Sequence, residues 1–216
     1  MSAPAATRGR RPMSDRRRWL QRLEISRAAI RLFTDQGVHD TTGEQIAEAV
    51  GLSSRTLWRY FRSKESCVEP VLSLTTDAFV DTLRRWPADT PLEDHLVADH
   101  HLPDPATAED GAATLAVVAM SRHEPALRAI WLVVYERAEA VLAEVVAERL
   151  GRAPDELAVR VQAATLTAAL RIATEELADD CAAGRERPRE EGLARLSAAV
   201  RAATHGVLGD DRDPSA

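Results

Sequence analysis

The chain has 216 residues, a formal net charge of −6, 45% hydrophobic and 29% charged residues and 4% aromatic ones, which suits a soluble globular protein of one small and one larger domain. No apolar run approaches the roughly 20 residues of a membrane span. No apolar stretch follows the N-terminal arginines as a secretory signal requires, and Cys67 and Cys181 form neither a disulfide framework nor a CxxC pair, as expected of reduced thiols in a cytoplasmic protein.

The charge is unevenly spread. Residues 1–65 hold 13 Lys and Arg against 7 Asp and Glu, a net of +6, while the remainder holds 15 against 27, a net of −12. A basic head on an acidic body suggests that one end meets a polyanion. Lys64 is the single lysine; every other side-chain cation of this kind is arginine.

Residues 1–14 are rich in small residues with Arg8, Arg10 and Arg11, and read as a disordered basic arm able to attract phosphate. Ala, Leu, Arg and Glu recur throughout and no strand alternation is present, so the fold class is all-α. The first helix is expected over 15–36, with Leu23, Ile30 and Phe33 at helical spacing and Gly37 as its stop. Thr41 to Glu44 has the spacing of a capping box and starts a short helix carrying Ile46, Ala47 and Val50. Gly51 permits a left-handed turn. Ser53 caps a second short helix, from Ser54 to Tyr60, that turns Leu57 and either Tyr60 or Phe61 inward. Ser63-Lys64-Glu65 caps the element after it, whose N-terminus and Lys64 suit a phosphate; Cys67 nearby suits a lowered thiol pKa.

Helices are further expected over 66–86, 92–101, 108–121, 125–150, from about 155 to 183 with Asp155 and Glu156 in the first turn, and over 189–204. A polar tail, 207–216, closes the chain. The two short helices, tightly joined by a Gly turn and with the small Ala47 at the crossing, make a helix-turn-helix whose second member presents Ser54, Arg55, Thr56, Trp58 and Arg59. Together with Arg62 and Lys64 this region is basic, which disfavours the alternative of a helical adaptor without DNA binding.

Across 28–64 the pattern A-x-x-L-F-x-x-x-G followed by T-T-x-x-x-I-A-x-x-x-G-L-S-x-x-T-L-W-R-Y-F-x-S-K-E resembles the TetR family of bacterial transcriptional regulators. The resemblance implies an N-terminal three-helix helix-turn-helix DNA-binding domain, residues 15–65, and a C-terminal helical ligand-binding and dimerisation domain, residues 66–206. The later part bears a general likeness to the mycofactocin-type or AcrR-like subgroup. By the same resemblance Thr42, Thr56, Trp58, Tyr60 and Lys64 hold the DNA backbone, while Ser54, Arg55 and Arg59 face bases. Trp58 stands where the family usually carries Tyr; its indole N–H donates but cannot accept, so contact with sugar or a thymine methyl is the alternative. Tyr60 has the alternative of packing its ring on the first helix. Arg55 is the candidate for bidentate guanine readout.

The implied function is a homodimeric repressor on a palindromic double-stranded operator, released by a small-molecule ligand, with an activator of the same fold as the alternative. Trp86, Met120, Trp131 and Tyr135 are candidates to line an apolar ligand cavity, with plain core as their other reading. Arg171 either anchors an anionic ligand group or pairs with Glu175, four residues on. His95, Asp99, His100 and His101 lack the spacing of a metal site and read as a solvent-facing polar helix. No metal or cofactor is expected, and no GxSxG, HExxH, phosphate loop or Cys–His arrangement speaks for an enzyme.

Overall fold

A computed structural model describes residues 15–87, 89–90, 92–99, 105–185 and 189–204, and every regular element among them is helical. The expected arm 1–14, the tail 207–216, and His100 and His101 lie outside those residues. The order is α1 (Asp15–Gln36), α2 (Gly43–Ala49), α3 (Ser54–Tyr60), a 3-10 turn (Glu65–Val68), α4 (Glu69–Arg85), α5 (Leu92–Asp99), α6 (Pro105–Met120), α7 (Pro125–Leu150), α8 (Leu157–Ala182) and α9 (Arg189–Thr204).

The head is built on α1. Leu23, Ile30 and Phe33, with Ile25, Ala28 and Ala29 between them, are buried, and α2 and α3 close over this face through Ile46, Ala47, Leu57 and Phe61. Phe61, not Tyr60, is the aromatic turned inward: it is buried while Tyr60 stays half-buried. In the body α7 lies between α4 and α8, α6 packs on α8 and α1, and α9 covers α8. Trp131, Leu127, Leu142, Val117 and Val159 fill the space between them.

Three expectations are corrected here. The segment 66–86 is not one helix: Glu65–Val68 winds as a tight 3-10 turn before α4 starts, with Pro70 in the first turn of α4, where its missing N–H leaves no helical bond unmade. In α8 Asp155 and Glu156 are not in the first turn; Glu156 is the extended residue before it, and its carboxylate accepts from the Ala153 N–H at 2.9 Å. His95 is not solvent-facing; it is buried, with Nε2 2.8 Å from the Thr82 carbonyl oxygen, while Asp99 pairs with Arg85 at 2.7 Å.

Head and body are joined by charge as well as by packing. Arg27 on α1 donates twice to Asp110 on α6, at 2.8 and 2.7 Å, and the Asp110 side chain is 3% exposed. Glu69, the first residue of α4, takes Arg22 of α1 on one oxygen and Arg137 of α7 on the other, at 2.7 and 2.9 Å. The buried Ser26 hydroxyl accepts the Val71 N–H. Both α4 and α6 are therefore tied to α1 through side chains.

Candidate nucleic-acid interface

The start of α2 is fixed by a capping box displaced one residue from the expected one. The Thr42 hydroxyl accepts the Gln45 N–H at 3.2 Å and the Gln45 side chain accepts the Thr42 N–H at 2.8 Å. Both Thr41 and Thr42 satisfy the sequence pattern, but Thr41 is buried and its hydroxyl donates to the Gly37 carbonyl at 2.8 Å. Gln36 at the end of α1 then donates to Gln45 at 3.0 Å and to Thr41 at 3.2 Å, tying the two helices together.

The turn behind α2 needs its glycine. Gly51 sits at φ +64°, and it and Leu52 return their N–H groups to Glu48 and Ala47. Ser53 then caps α3, its hydroxyl accepting the Thr56 N–H at 3.3 Å and lying 2.9 Å from the Thr56 hydroxyl. Leu57 is the one fully buried residue of α3 and anchors it. The rest of the helix looks outward: Arg55, Trp58 and Arg59 are exposed, and Ser54, Thr56 and Tyr60 are half-buried. The Arg59 guanidinium lies 5.6 Å from the centre of the Tyr60 ring.

Trp58 is 42% exposed, yet the inner edge of its indole covers Gly43. A methyl group built on Gly43 would stand 2.0 Å from Trp58 Cζ2 and 2.5 Å from Cη2. The ring therefore joins the middle of α3 to the N-terminus of α2 while 42% of the residue stays exposed.

Lys64 lies elsewhere than expected. Its Nζ donates to the carbonyls of Val38, His39 and Thr41, at 2.7, 3.1 and 2.7 Å. An ammonium has three donors, and all three are directed at carbonyls of the loop between α1 and α2. Beside it Ser63 and Ser66 exchange hydrogen bonds, each N–H to the other's hydroxyl at 3.2 Å. Cys67 is fully buried, and burial pushes its thiol up to about 12, which corrects the expected low value.

The candidate ligand residues divide. Trp131 and Tyr135 meet edge to face, 4.4 Å between centres. Both line a cavity of about 150 Å³ among α4, α6, α7, α8 and α9, with Thr75, Phe79, Thr114 and Leu170 among its other walls. Burial pushes the Tyr135 hydroxyl up to about 12, and that hydroxyl lies 3.1 Å from Thr174. Met120 lines a different and larger cavity, of about 530 Å³. Trp86 and Arg171 line neither. Trp86 lies beneath the Arg149 guanidinium, 3.8 Å from ring centre to Cζ, and donates to the Thr90 carbonyl at 2.7 Å. Arg171 pairs with Glu175 at 2.8 Å.

Glu175 is a hub that residue spacing showed only in part. It is 6% exposed, and Arg128 of α7 joins Arg171 on the same oxygen, which the Trp131 indole N–H also approaches at 3.4 Å. Burial alone would raise its carboxyl, but the hydrogen bonds from Arg128 and Arg171 win and hold it below the ordinary value. The Asp110 and Glu69 ties are likewise invisible in the sequence, since their partners are 83 and 47 residues away.

Two family models match the chain. Bacterial regulatory proteins of the tetR family match residues 25–71, and the MftR C-terminal domain matches residues 104–201. The chain belongs to the TetR family. The first match spans the helix-turn-helix described above, and the second begins in the segment before α6 and ends within α9.

Among relatives, the TetR-family chain is 34% identical over 134 residues to the HTH-type transcriptional regulator TcmR of Streptomyces glaucescens, which is 59% of each protein. It is 40% identical over 52 residues to the HTH-type transcriptional repressor KstR2 of Mycolicibacterium smegmatis, 24% of this chain and 25% of that one. The matched part thus falls short of two thirds of either relative. Solved structures share the fold: GusR of Salmonella enterica has a TM-score of 0.52 at 21% identity over 84% of this chain and 96% of its own. The fatty acid degradation regulator FadR of Bacillus halodurans has a TM-score of 0.54 at 18% identity over 87% and 96%.

Proposed function

We propose that this TetR-family chain is a sequence-specific DNA-binding transcriptional repressor that acts as a homodimer in the cytoplasm and is released from a palindromic operator by a small molecule. The observation that carries the reading is α3 itself: one buried anchor, Leu57, and an outward face of Arg55, Trp58 and Arg59 on a helix fixed at its start by Ser53. Such a helix fits the major groove, with Arg55 and Ser54 at base edges, Arg59 beside them, and Thr42, Thr56, Trp58 and Tyr60 along the backbone. Lys64 serves this interface indirectly, by holding the 37–41 loop that carries the Thr42 cap.

The dimer is read on the outer side of α8. Leu157, Val161 and Ile172 are 74%, 56% and 51% exposed there. Their spacing sets them along one stripe of the helix, and a second copy is the partner that would cover it. Among the described residues no helix is long and apolar enough to cross a membrane.

For release, the Trp131–Tyr135 cavity is the candidate effector pocket. At about 150 Å³ it is smaller than the roughly 300–1,000 Å³ of drug-sized sites, so a ligand must part α4 from α7 to enter. Glu69, which holds α1 from the first turn of α4, would transmit that movement to the head. The reading is tested by fluorescence anisotropy of the purified protein on DNA flanking its own gene, with excess unrelated DNA as competitor. Salt-sensitive binding that survives the competitor is expected; no binding even at low salt would overturn the assignment.

A further inference from the structure

The larger cavity lies outside the pocket just described, at the junction of head and body. Its walls are the end of α1 and the following loop (Phe33, Gly37, Val38), the inner side of α6 (Ala112, Ala116, Met120) and the end of α8. Five of the positions that face it from α6 and α8 are alanines (Ala112, Ala116, Ala119, Ala178 and Ala182), whose short side chains help to leave about 530 Å³ unfilled. That volume is within the range of drug-sized sites, and a mostly apolar wall with a few polar groups at one end is the usual composition of such sites. The polar side chains of its wall are Glu124, His123 and Thr34.

We propose that this cavity is a second effector site, one that takes an apolar molecule, neutral or carrying a single amine, and acts on the head directly. The charge of the site decides the class. Its one carboxylate, Glu124, repels carboxylates and phosphates, and no arginine or lysine lines the cavity to receive them. Its position decides the effect. Gly37 and Val38 are wall residues, and the carbonyls of both are used by the head: Gly37 accepts from Thr41, and Val38 accepts from Lys64. An occupant that presses on this wall displaces the loop whose other end is the Thr42 cap of α2. From that wall the route runs through the 37–41 loop and not through α4 or Glu69. It rests on the repressor reading only for its consequence at DNA, not for occupancy.

Cys181 lines the cavity and is exposed, whereas Cys67 is buried, so a tethered occupant can be placed there in the 216-residue chain. The probe is monobromobimane, a neutral bicyclic thiol reagent, with iodoacetamide as a small control and Cys181→Ser as the blank. Bimane on Cys181 is expected to emit as in an apolar environment. It should also change amide exchange at residues 38–41 and 63–67 by about fivefold or more relative to the iodoacetamide adduct. Ala116→Trp, or Ala112→Phe should the first variant not fold, fills the cavity and should return the emission to that of water. A water-like emission in the unmutated protein, or unchanged exchange in both segments, would overturn the proposal. Those readouts need no DNA; a protein that passes them yet binds no DNA would instead count against the repressor reading.

Discussion

The indole of Trp58 covers Gly43 so closely that no residue with a side chain fits at position 43 while the ring stays where it is. Gly43 is the first residue of α2 and Trp58 lies in the middle of α3. The pair therefore sets how the two helices approach each other, and it does so with an atom-sized vacancy rather than with a bond. Gly43→Ala forces the ring outward, toward the side where DNA would lie. Operator affinity should fall about tenfold, or about 1.4 kcal/mol, while thermal stability changes little because alanine suits a helix better than glycine. In a Trp58→Ala background the same change should be harmless, and a double-mutant cycle measured by anisotropy checks this.

Arg55→Ala should weaken operator binding by about 1–3 kcal/mol and relax preference at one base pair. Selection of bound sequences from a random pool, with both proteins, measures it. A preference that is unchanged at every position would remove Arg55 from the base-reading set.

Lys64→Ala leaves three carbonyls of one loop without their donor. The expected cost is about 1–3 kcal/mol of stability, read by urea unfolding. Lys64→Arg should not restore it, because a planar guanidinium cannot direct three donors at three converging oxygens as an ammonium does. Salt dependence of DNA binding should change by much less than the one unit that loss of a phosphate contact brings.

Glu175 has its carboxyl held below the ordinary value by Arg128 and Arg171. A lowered folded-state pKa adds stability above the unfolded value of about 4.3, and that stability is lost as pH falls through the folded one. The native protein should therefore lose stability between about pH 5 and pH 3 more steeply than Glu175→Gln. At neutral pH the variant should be weaker by about 2–4 kcal/mol, since two arginines lose their partner. Thermal unfolding across that pH range tests both statements.

Cys181 should react with Ellman's reagent in the folded protein and Cys67 should not, because Cys67 is buried and its thiol is pushed up to about 12. One thiol per chain is expected in buffer and two in denaturant.

The sequence disclosed the head almost whole, because its structure is made by near neighbours. Gly37 and Gly51 stop helices by backbone conformation, and Ser53 caps α3 three residues ahead of its donor. Even the displaced capping box was a choice between two adjacent threonines, decided by the burial of Thr41 that local spacing does not show. The body was legible only as a series of helices. The partners of Glu69, Asp110 and Glu175 come from distant segments, and which large residues surround empty space depends on how α6 and α8 pack. That is why Trp131 and Tyr135 came together while Trp86 and Arg171 stood apart. The burial of His95 escapes the sequence for the same reason: its carbonyl partner belongs to α4, not to its own helix.

In a chain whose side-chain cations number 28, a single one is a primary amine, and that amine is closed inside a ring of carbonyls at the hinge of the DNA-reading motif. Acylating reagents that decorate most proteins at many sites meet here one lysine side chain, held by three carbonyls. The speed at which it is modified therefore clocks how often the 37–41 loop lets go. The molecule carries its own stopwatch for the opening of its head.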